Sequence, residues 1–552
     1  MRDQEDICKY RILDKDIAEF AQRMHGTGKY EKNLFIPTED NLRIAKAEAE
    51  GLMERVAALD ACDPVFALLG SHFGEYIESA RANIKGLEEN PAKVAGQFGW
   101  KISSLCRSDY RPDDQRIDVL LARLKSVSDT WNGAAYALNG LDAAKVQQVL
   151  GGLKQASDAV GYAKPALAQS FKSLSPAAIE EITGAMDTYQ QNLADFMAQA
   201  GKIVEQKGGA PKTEARGDDE AIPVTQEEYR NVLKNNIGVD LDELLSWYEY
   251  ENAKTRAESL ELANKINGAG TIKTTAEVGD LLYKKAGPCN TPEEMFERVN
   301  LYLKRARAAA HDYIWLPENE ICECLPVPEQ LKDSYPWGGY NSDWPSRYPL
   351  RNHMFLNNFN FKAVTDGWIK INALHEAYPG HHAQFIRAAI DPIPETMKRG
   401  ARSVPLSEGV CIRTERVFEF VFAEDPYYPL MVAHRRHHTS TRIKIDLMLH
   451  YFGKTIGEAC NLYEKEMRFD RKTARAQVQA HENMMGYFTG YYYGMKKICD
   501  WERQYHWDKR DYTELLFSHG RISLDTLEKV LKLSHADRHS LRHDFASLIQ
   551  FA

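Results

Sequence analysis

No apolar run in this 552-residue chain approaches the roughly 18 residues a membrane-spanning helix needs. Met1 to Cys8 is charged where a secretory leader would be apolar, so the expectation is a cytoplasmic protein with no membrane partner. Cysteine is scarce and odd in number, nine in all, which argues for reduced thiols and against a disulfide framework. Cys322-Glu323-Cys324 is the one close pair, and without a second pair downstream it does not read as a structural zinc site. An excess of positive charge is missing too: the net charge is −9, and no basic footprint for nucleic acid is present. Internal repeats and long low-complexity tracts are absent, and Gly208-Gly209 is too short to count as one.

What remains is an ordinary globular composition, 43% hydrophobic and 27% charged, in a chain long enough for a large core. Length alone suggests about two to four domains. Residues 1–205 read as helices. Ile117, Leu120, Leu121, Leu124, Val127 and Trp131 follow helical spacing, and Pro112-Asp113-Asp114 supplies a start signal. Residues 206–223 shift to Gly, Pro, Lys and acidic residues without periodicity, an exposed loop or hinge. Helix then dominates residues 224–552, opened by Thr225 with Glu228 as a capping box and by a related pair at Asp240 and Glu243. Two short extended stretches, Ile314–Val327 and Met354–Asn357, read as a small sheet whose edge offers pairing to an extended substrate. The expected fold is mainly α, a multi-helix architecture with a small sheet beside a cleft between the N-terminal and the C-terminal helical regions.

The chemistry concentrates in His375-Glu376-Ala377-Tyr378-Pro379-Gly380-His381-His382. Neutral imidazoles bind Zn²⁺ and leave it net positive, and an adjacent carboxylate that is not a ligand can take a proton from an attacking water. In the usual H-E-x-x-H pattern the two His share a helical face at i, i+4. Here the second His comes at i+6 or i+7, and at roughly 100° per residue i+6 lies about 120° round an undistorted helix. Pro379 and Gly380 mark where the helix would bulge or kink, and two looped-out residues would restore the register for His381. His382 shares the face of His375 but sits about 10 Å along the axis, an awkward span for one ion.

A catalytic zinc usually takes three protein ligands. Glu408, 27 residues past His381 in Pro405-Leu406-Ser407-Glu408-Gly409, is the candidate third, with Glu415 one heptad on as the second choice. Downstream, Arg442, Asp446 and His450 form an i, i+4, i+8 stripe. Tyr491 and His450 carry groups suited to stabilising an oxyanion. Tyr487, Tyr491, Tyr492 and Tyr493 fit core packing equally well. His434-Arg435-Arg436-His437-His438 reads as a solvated basic turn rather than a second metal or anion site, although it offers positive charge to a substrate carboxylate.

His375 to Gln384, H-E-A-Y-P-G-H-H-A-Q, resembles the signature of the DUF885 family of zinc-metallopeptidase-like proteins. Ser407 to Glu415 is similar to that family's V-E-G-W-A-L-Y-x-E segment, keeping both glutamates and the glycine. Arg442, Asp446 and His450 match an R-x-x-x-D-x-x-x-H helix, and Gly486, Tyr491 and Gly494 match a P-G-Q-A-x-x-Y-x-x-G stretch. Weaker similarity extends back through Asn357 to about Tyr229. Val410-Cys411 replaces a Trp-Ala pair and Met485 a Pro, changes that line a pocket rather than a metal site. The resemblance implies one zinc per chain on His375, His381 and Glu408, with Glu376 as general base, Tyr491 and His450 at the oxyanion, and Arg442 and Asn357 on the substrate. A peptide or small amide is the implied substrate. Two alternatives stand beside it: a non-peptide amide or ester, and a non-catalytic helical binding protein, against which Glu376 speaks because a structural zinc needs no base.

Overall fold

The computed structural model describes residues 2–61, 63–89, 95–106, 112–212, 216–327, 337–341 and 350–546, together with 329 and 332. It is mainly helical with one small sheet. The chain divides into two compact units, Met1–Cys62 with Leu69–Ala215, and Asp63–Leu68 with Arg216–Ala552. No described helix is long and apolar enough to cross a membrane.

In the first unit, helices Ala95–Ser103, Asp113–Leu138, Ala143–Ala163 and Pro176–Gln206 turn apolar stripes onto a shared core. Phe98, Ile102, Leu120, Leu124, Leu153 and Leu193 are buried there, while Ile117 and Leu121 pack at its margin. The helix starts at Asp113, as its acidic first turn predicts. The side chains of Val127 and Trp131 lie outside the described residues.

The second unit opens at a helix, Gln226–Val232, whose Thr225–Glu228 capping box is formed in full. Asp240 caps Leu241–Asn267 through the amide of Glu243. The sheet is smaller and differently bounded than the sequence suggests. Strand β1 is Ile321–Pro326, β2 is Gly338–Asn341 and β3 is Arg351–Leu356, in the order β1-β3-β2. β1 runs parallel to β3, Ile321 opposite Arg351, and β2 runs antiparallel to it, Asn341 opposite His353. Ile314 to Glu320 is not strand, because Pro317 cannot donate to a ladder and the chain turns there before pairing begins. β2 escapes sequence reading because Gly338-Gly339 has little strand preference of its own.

The sheet abuts the candidate site through its side chains. Tyr340 of β2 places its ring 5.8 Å from Phe385 and 6.1 Å from His382. The Cys322 amide of β1 donates to the Tyr378 hydroxyl at 3.1 Å, so part of that edge is already engaged.

Candidate metal centre

The helix Asp366–Asn372, capped by Thr365, runs directly into a π-helical turn, Ala373–Ala377, that carries His375 and Glu376. The Tyr378 amide donates to Ala373 O at 3.0 Å, closing the wide turn. The chain then leaves the helix at an extended Tyr378, passes a cis Tyr378–Pro379 peptide and Gly380, and starts a new helix, His381–Ile390. Gly380 folds back so tightly that a Cβ there would lie 2.0 Å from His375 O and 2.2 Å from Leu374 O. Only glycine permits that approach. Its result is that the His375 and His381 rings meet at 5.0 Å, edge to face.

A second helix, Val404–Val417, supplies the third group. Glu408 Oε2 lies 3.4 Å from His375 Nε2 and 3.2 Å from His381 Nε2. That oxygen is buried and has no hydrogen-bond partner. The other carboxylate oxygen accepts from the Tyr487 hydroxyl. Ligand atoms about 2.0 to 2.1 Å from a tetrahedral zinc sit about 3.3 Å apart. The two distances from Glu408 Oε2 match that spacing, and the orphaned oxygen is the group that zinc would satisfy.

The charges are coupled. Burial alone would raise the Glu408 carboxyl, but the imidazoles, His381 foremost, hold it well below the usual carboxylate range. Burial likewise opposes a charged His375, yet the carboxylates Glu408 and Glu415 beside it outweigh burial and lift the imidazole to about 9.

Both imidazoles are oriented from behind. Glu415 Oε1 lies 2.8 Å from His375 Nδ1, and an ionised carboxylate accepts there only if Nδ1 carries the proton. The Gln384 amide nitrogen donates to Ser407 O at 3.0 Å, which turns its Oε1 to within 3.1 Å of His381 Nδ1. Each arrangement places a proton on Nδ1 and makes Nε2, the atom that faces Glu408, the one that could bind a metal once it carries no proton. Among the described residues, His375, His381 and Cys411 form a donor group whose ligand atoms all lie within 4.8 Å of one another. The Glu408 set is the better one. The Cys411 thiol faces His381 Nδ1 at 3.5 Å, a nitrogen already engaged by Gln384, and burial followed by the Glu408 charge pushes it well above its ordinary value.

Two helices are held in backbone contact to complete the site. A Cβ on Gly494 would fall 1.7 Å from Pro405 O, and one on Gly409 2.5 Å from Met495 N. This crossing of Val404–Val417 with Thr489–Gln504 brings Tyr491 parallel to the His375 ring at 6.2 Å. Glu376, half-buried beside His375, exerts its charge on both His375 and Cys411.

Several expected participants lie elsewhere. His382 is wholly buried and turns away, its Nε2 2.5 Å from Glu320 Oε2 and its Nδ1 3.3 Å from the Tyr340 hydroxyl. His450 stacks on Tyr229 at 5.7 Å and faces the His481 carbonyl at 3.2 Å. Its neighbour Asp446 accepts from His481, Tyr229 and the Gly486 amide, so this buried network supports the Tyr487 segment from below rather than meeting the two imidazoles. Asn357 is fully buried and organises a turn, accepting from the amides of Phe359 and Asn360 and donating to Lys332 O. Arg442, by contrast, stays at the margin of the site, its guanidinium 5.3 Å from the Tyr491 ring and donating to Gln477 at 3.1 Å. The His434–His438 run is no solvated turn. It lies inside the helix Tyr428–His450, with Arg435, His437 and His438 buried, because the helix is apolar or packed on nearly every side.

Glu415, Gln384 and Tyr487 are not singled out by the sequence as supports for the two imidazoles and Glu408. Glu408, Cys411 and Glu415 stand at i, i+3 and i+7, one face of one helix, and that spacing is the signal that pairs the two glutamates with one imidazole. Glu415→Ala is expected to weaken zinc binding about 10- to 100-fold. Competition with a chromophoric chelator measures it, and unchanged affinity would remove Glu415 from any orienting role.

Every residue of the site belongs to the second unit. Two solved structures share the fold, each described as a "putative lipoprotein". The one from Colwellia psychrerythraea superposes with a TM-score of 0.73 at 15% identity, covering 98% of this chain and 99% of that one. The one from Shewanella oneidensis, of unknown function, gives 0.69 at 14% identity over 95% and 99%. No curated protein matches. The family model described as "Bacterial protein of unknown function (DUF885)" matches residues 37–531, and on that extent the chain belongs to the DUF885 family.

Proposed function

We propose that the chain is a zinc-dependent hydrolase of amide bonds, with peptides as its substrates. One observation supports the reading: the orphaned Glu408 Oε2 lies 3.2 and 3.4 Å from the Nε2 atoms of two imidazoles whose Nδ1 atoms are held from behind by Glu415 and Gln384. His375, His381 and Glu408 would hold one zinc, which when bound polarises a carbonyl and lowers the pKa of water. Glu376 takes the proton of the attacking water and returns it to the departing amine. Tyr487 donates to the other Glu408 oxygen and would leave only Oε2 for the metal. The Tyr491 hydroxyl is the donor for the developing oxyanion. It stays protonated, since burial and then the Glu408 charge push it up. His450, committed to the His481 network, has no part in that step. A non-catalytic helical protein would have no use for Glu376 beside such a donor set.

The eight described cysteines are unpaired, which suits the reducing cytoplasm as the compartment. The lipoprotein description belongs to the structural neighbours.

Metal analysis of the purified protein is the deciding experiment. About one zinc per chain is expected, lost in His381→Ala and retained in His382→Ala. Metal loss only in the latter would overturn the ligand assignment. Hydrolysis of a mixed peptide library with and without chelator then tests the substrate class, and no cleavage of any peptide by the zinc-loaded protein would move the reading to a non-peptide amide or ester. Because His375 holds a proton up to about pH 9 without metal, zinc binding at neutral pH is expected to release about one proton. Calorimetry in two buffers of different ionisation enthalpy reads that number, and identical heats would contradict it.

A further inference from the structure

The helix Tyr428–His450 carries a second feature that the metal site does not use. Arg435, His438 and Arg442 stand at i, i+3 and i+7 on one face, and all three are buried, at 6%, 5% and 7% exposure. Arg435 Nε, Arg442 Nε and His438 Nε2 have no hydrogen-bond partner. Buried cations are costly unless paired. Glu415 Oε1 pairs with Arg435 Nε at 3.7 Å while also facing His375 Nδ1 at 2.8 Å, and Glu415 Oε2 has no hydrogen-bond partner. Asp446 is taken up by His481, Tyr229 and the Gly486 amide. What else the guanidiniums touch is neutral: Arg435 lies over Trp368 and beside His438 Nδ1, and Arg442 over Phe488 and Tyr491 with one bond to Gln477. Two positive charges are thus buried in an aromatic wall, Arg435 held by Glu415 at 3.7 Å and Arg442 without an ion pair among the described residues.

That wall is the one Tyr491 shares with the metal ligands. The Tyr491 ring is 6.2 Å from His375 and 5.3 Å from the Arg442 guanidinium carbon, and the charges of both arginines act on its hydroxyl. The span from imidazole to guanidinium is therefore at most about three residues of extended chain at about 3.4 Å each. The contacts of imidazole with metal and of carboxylate with guanidinium use much of it. The length left matches one residue.

We propose that Arg435 and Arg442 form the subsite for the substrate's terminal carboxylate, so that the bond cleaved is the last one of a peptide with a free C-terminus. This rests on the hydrolase reading above and deepens it. Water adds its hydroxyl to the acyl carbon, the C–N bond breaks, and the remaining proton goes to the amino group of the released amino acid. An amidated C-terminus lacks the charge that two guanidiniums require. An internal bond would leave Arg442 unpaired.

The test compares N-acetyl-Ala-Ala with its C-terminal amide, first as ligands of zinc-free protein by calorimetry, then as substrates of the zinc-loaded protein. The free acid is expected to bind about tenfold or more tightly than the amide, as for a charge-assisted hydrogen bond, and to be the better substrate. Arg442→Gln should erase that difference. Arg435→Gln, with circular dichroism and a thermal midpoint for both variants, guards against loss of fold. Acid and amide that bind equally, or neither binding at all, would overturn the subsite. Preference for the acid without hydrolysis of either would keep the subsite and count against the peptidase reading, whereas equal hydrolysis of both would do the reverse.

Discussion

Replacing Glu376 with Gln is expected to leave one zinc bound and to lower kcat by about 10² to 10⁴, with the larger figure if the same group also protonates the leaving amine. The reasoning starts from position. Glu376 follows His375 in the π turn, so it is carried on the same rigid piece of backbone as a ligand. It is only half-buried, unlike Glu408 and Glu415, and is thus the one carboxylate of the three with access to solvent water. Glu408 is aimed at two imidazoles and Glu415 at the back of one, which leaves Glu376 without a structural duty among the described residues. Gln matches its shape and cannot accept the proton. Steady-state kinetics on the best library substrate, at matched zinc occupancy, provides the measurement. Activity within a few-fold of the parent protein would remove Glu376 from proton transfer.

The same geometry shows which parts of the site were legible in the sequence. The register of the second histidine was, because Pro379-Gly380 marks a helix break and the break is what turns His381 towards His375 while His382 goes to Glu320. Glu408 is unremarkable taken alone and is singled out only beside the upstream motif and the matching family segment; the structure brings its Oε2 to both imidazoles. The supports were less legible. Nothing local to Gln384 reveals that its amide is turned by Ser407, a contact across 23 residues. His450 looked catalytic because spacing places it on a stripe with Arg442 and Asp446, yet spacing cannot say which neighbour fills the stripe, and Tyr229, more than two hundred residues away, stacks there. The basic run at His434–His438 misled for a related reason. Its charges look solvated in isolation, and only the packing of the helix on its surroundings makes Arg435 and His438 interior. The strand β2 was hidden by two glycines, since pairing with β3 rather than intrinsic preference makes it a strand.

The site's dependence on one small residue leads to an expected loss of zinc in Gly380→Ala. The added methyl would sit 2.0 Å from His375 O, 2.2 Å from Leu374 O and 2.4 Å from His375 C, all backbone atoms that cannot swing aside as a side chain would. Relief requires the π turn and the His381 helix to separate. That movement displaces His375 from His381, whose rings now meet at 5.0 Å, and takes Nε2 of one or both away from Glu408. Overpacking of this kind costs about 1 to 3 kcal/mol or more, enough to lower the thermal midpoint by several degrees. The larger effect falls on metal binding, because a ligand displaced by even 1 Å no longer satisfies a tetrahedral ion whose bonds vary by about 0.2 Å. Zinc affinity is expected to fall by at least about 10², as it does when a coordinating partner is lost. Chelator competition and thermal unfolding on the same preparation separate the two effects. A folded variant with unchanged zinc affinity would show that the close approach at Gly380 does not set the distance between the two imidazoles.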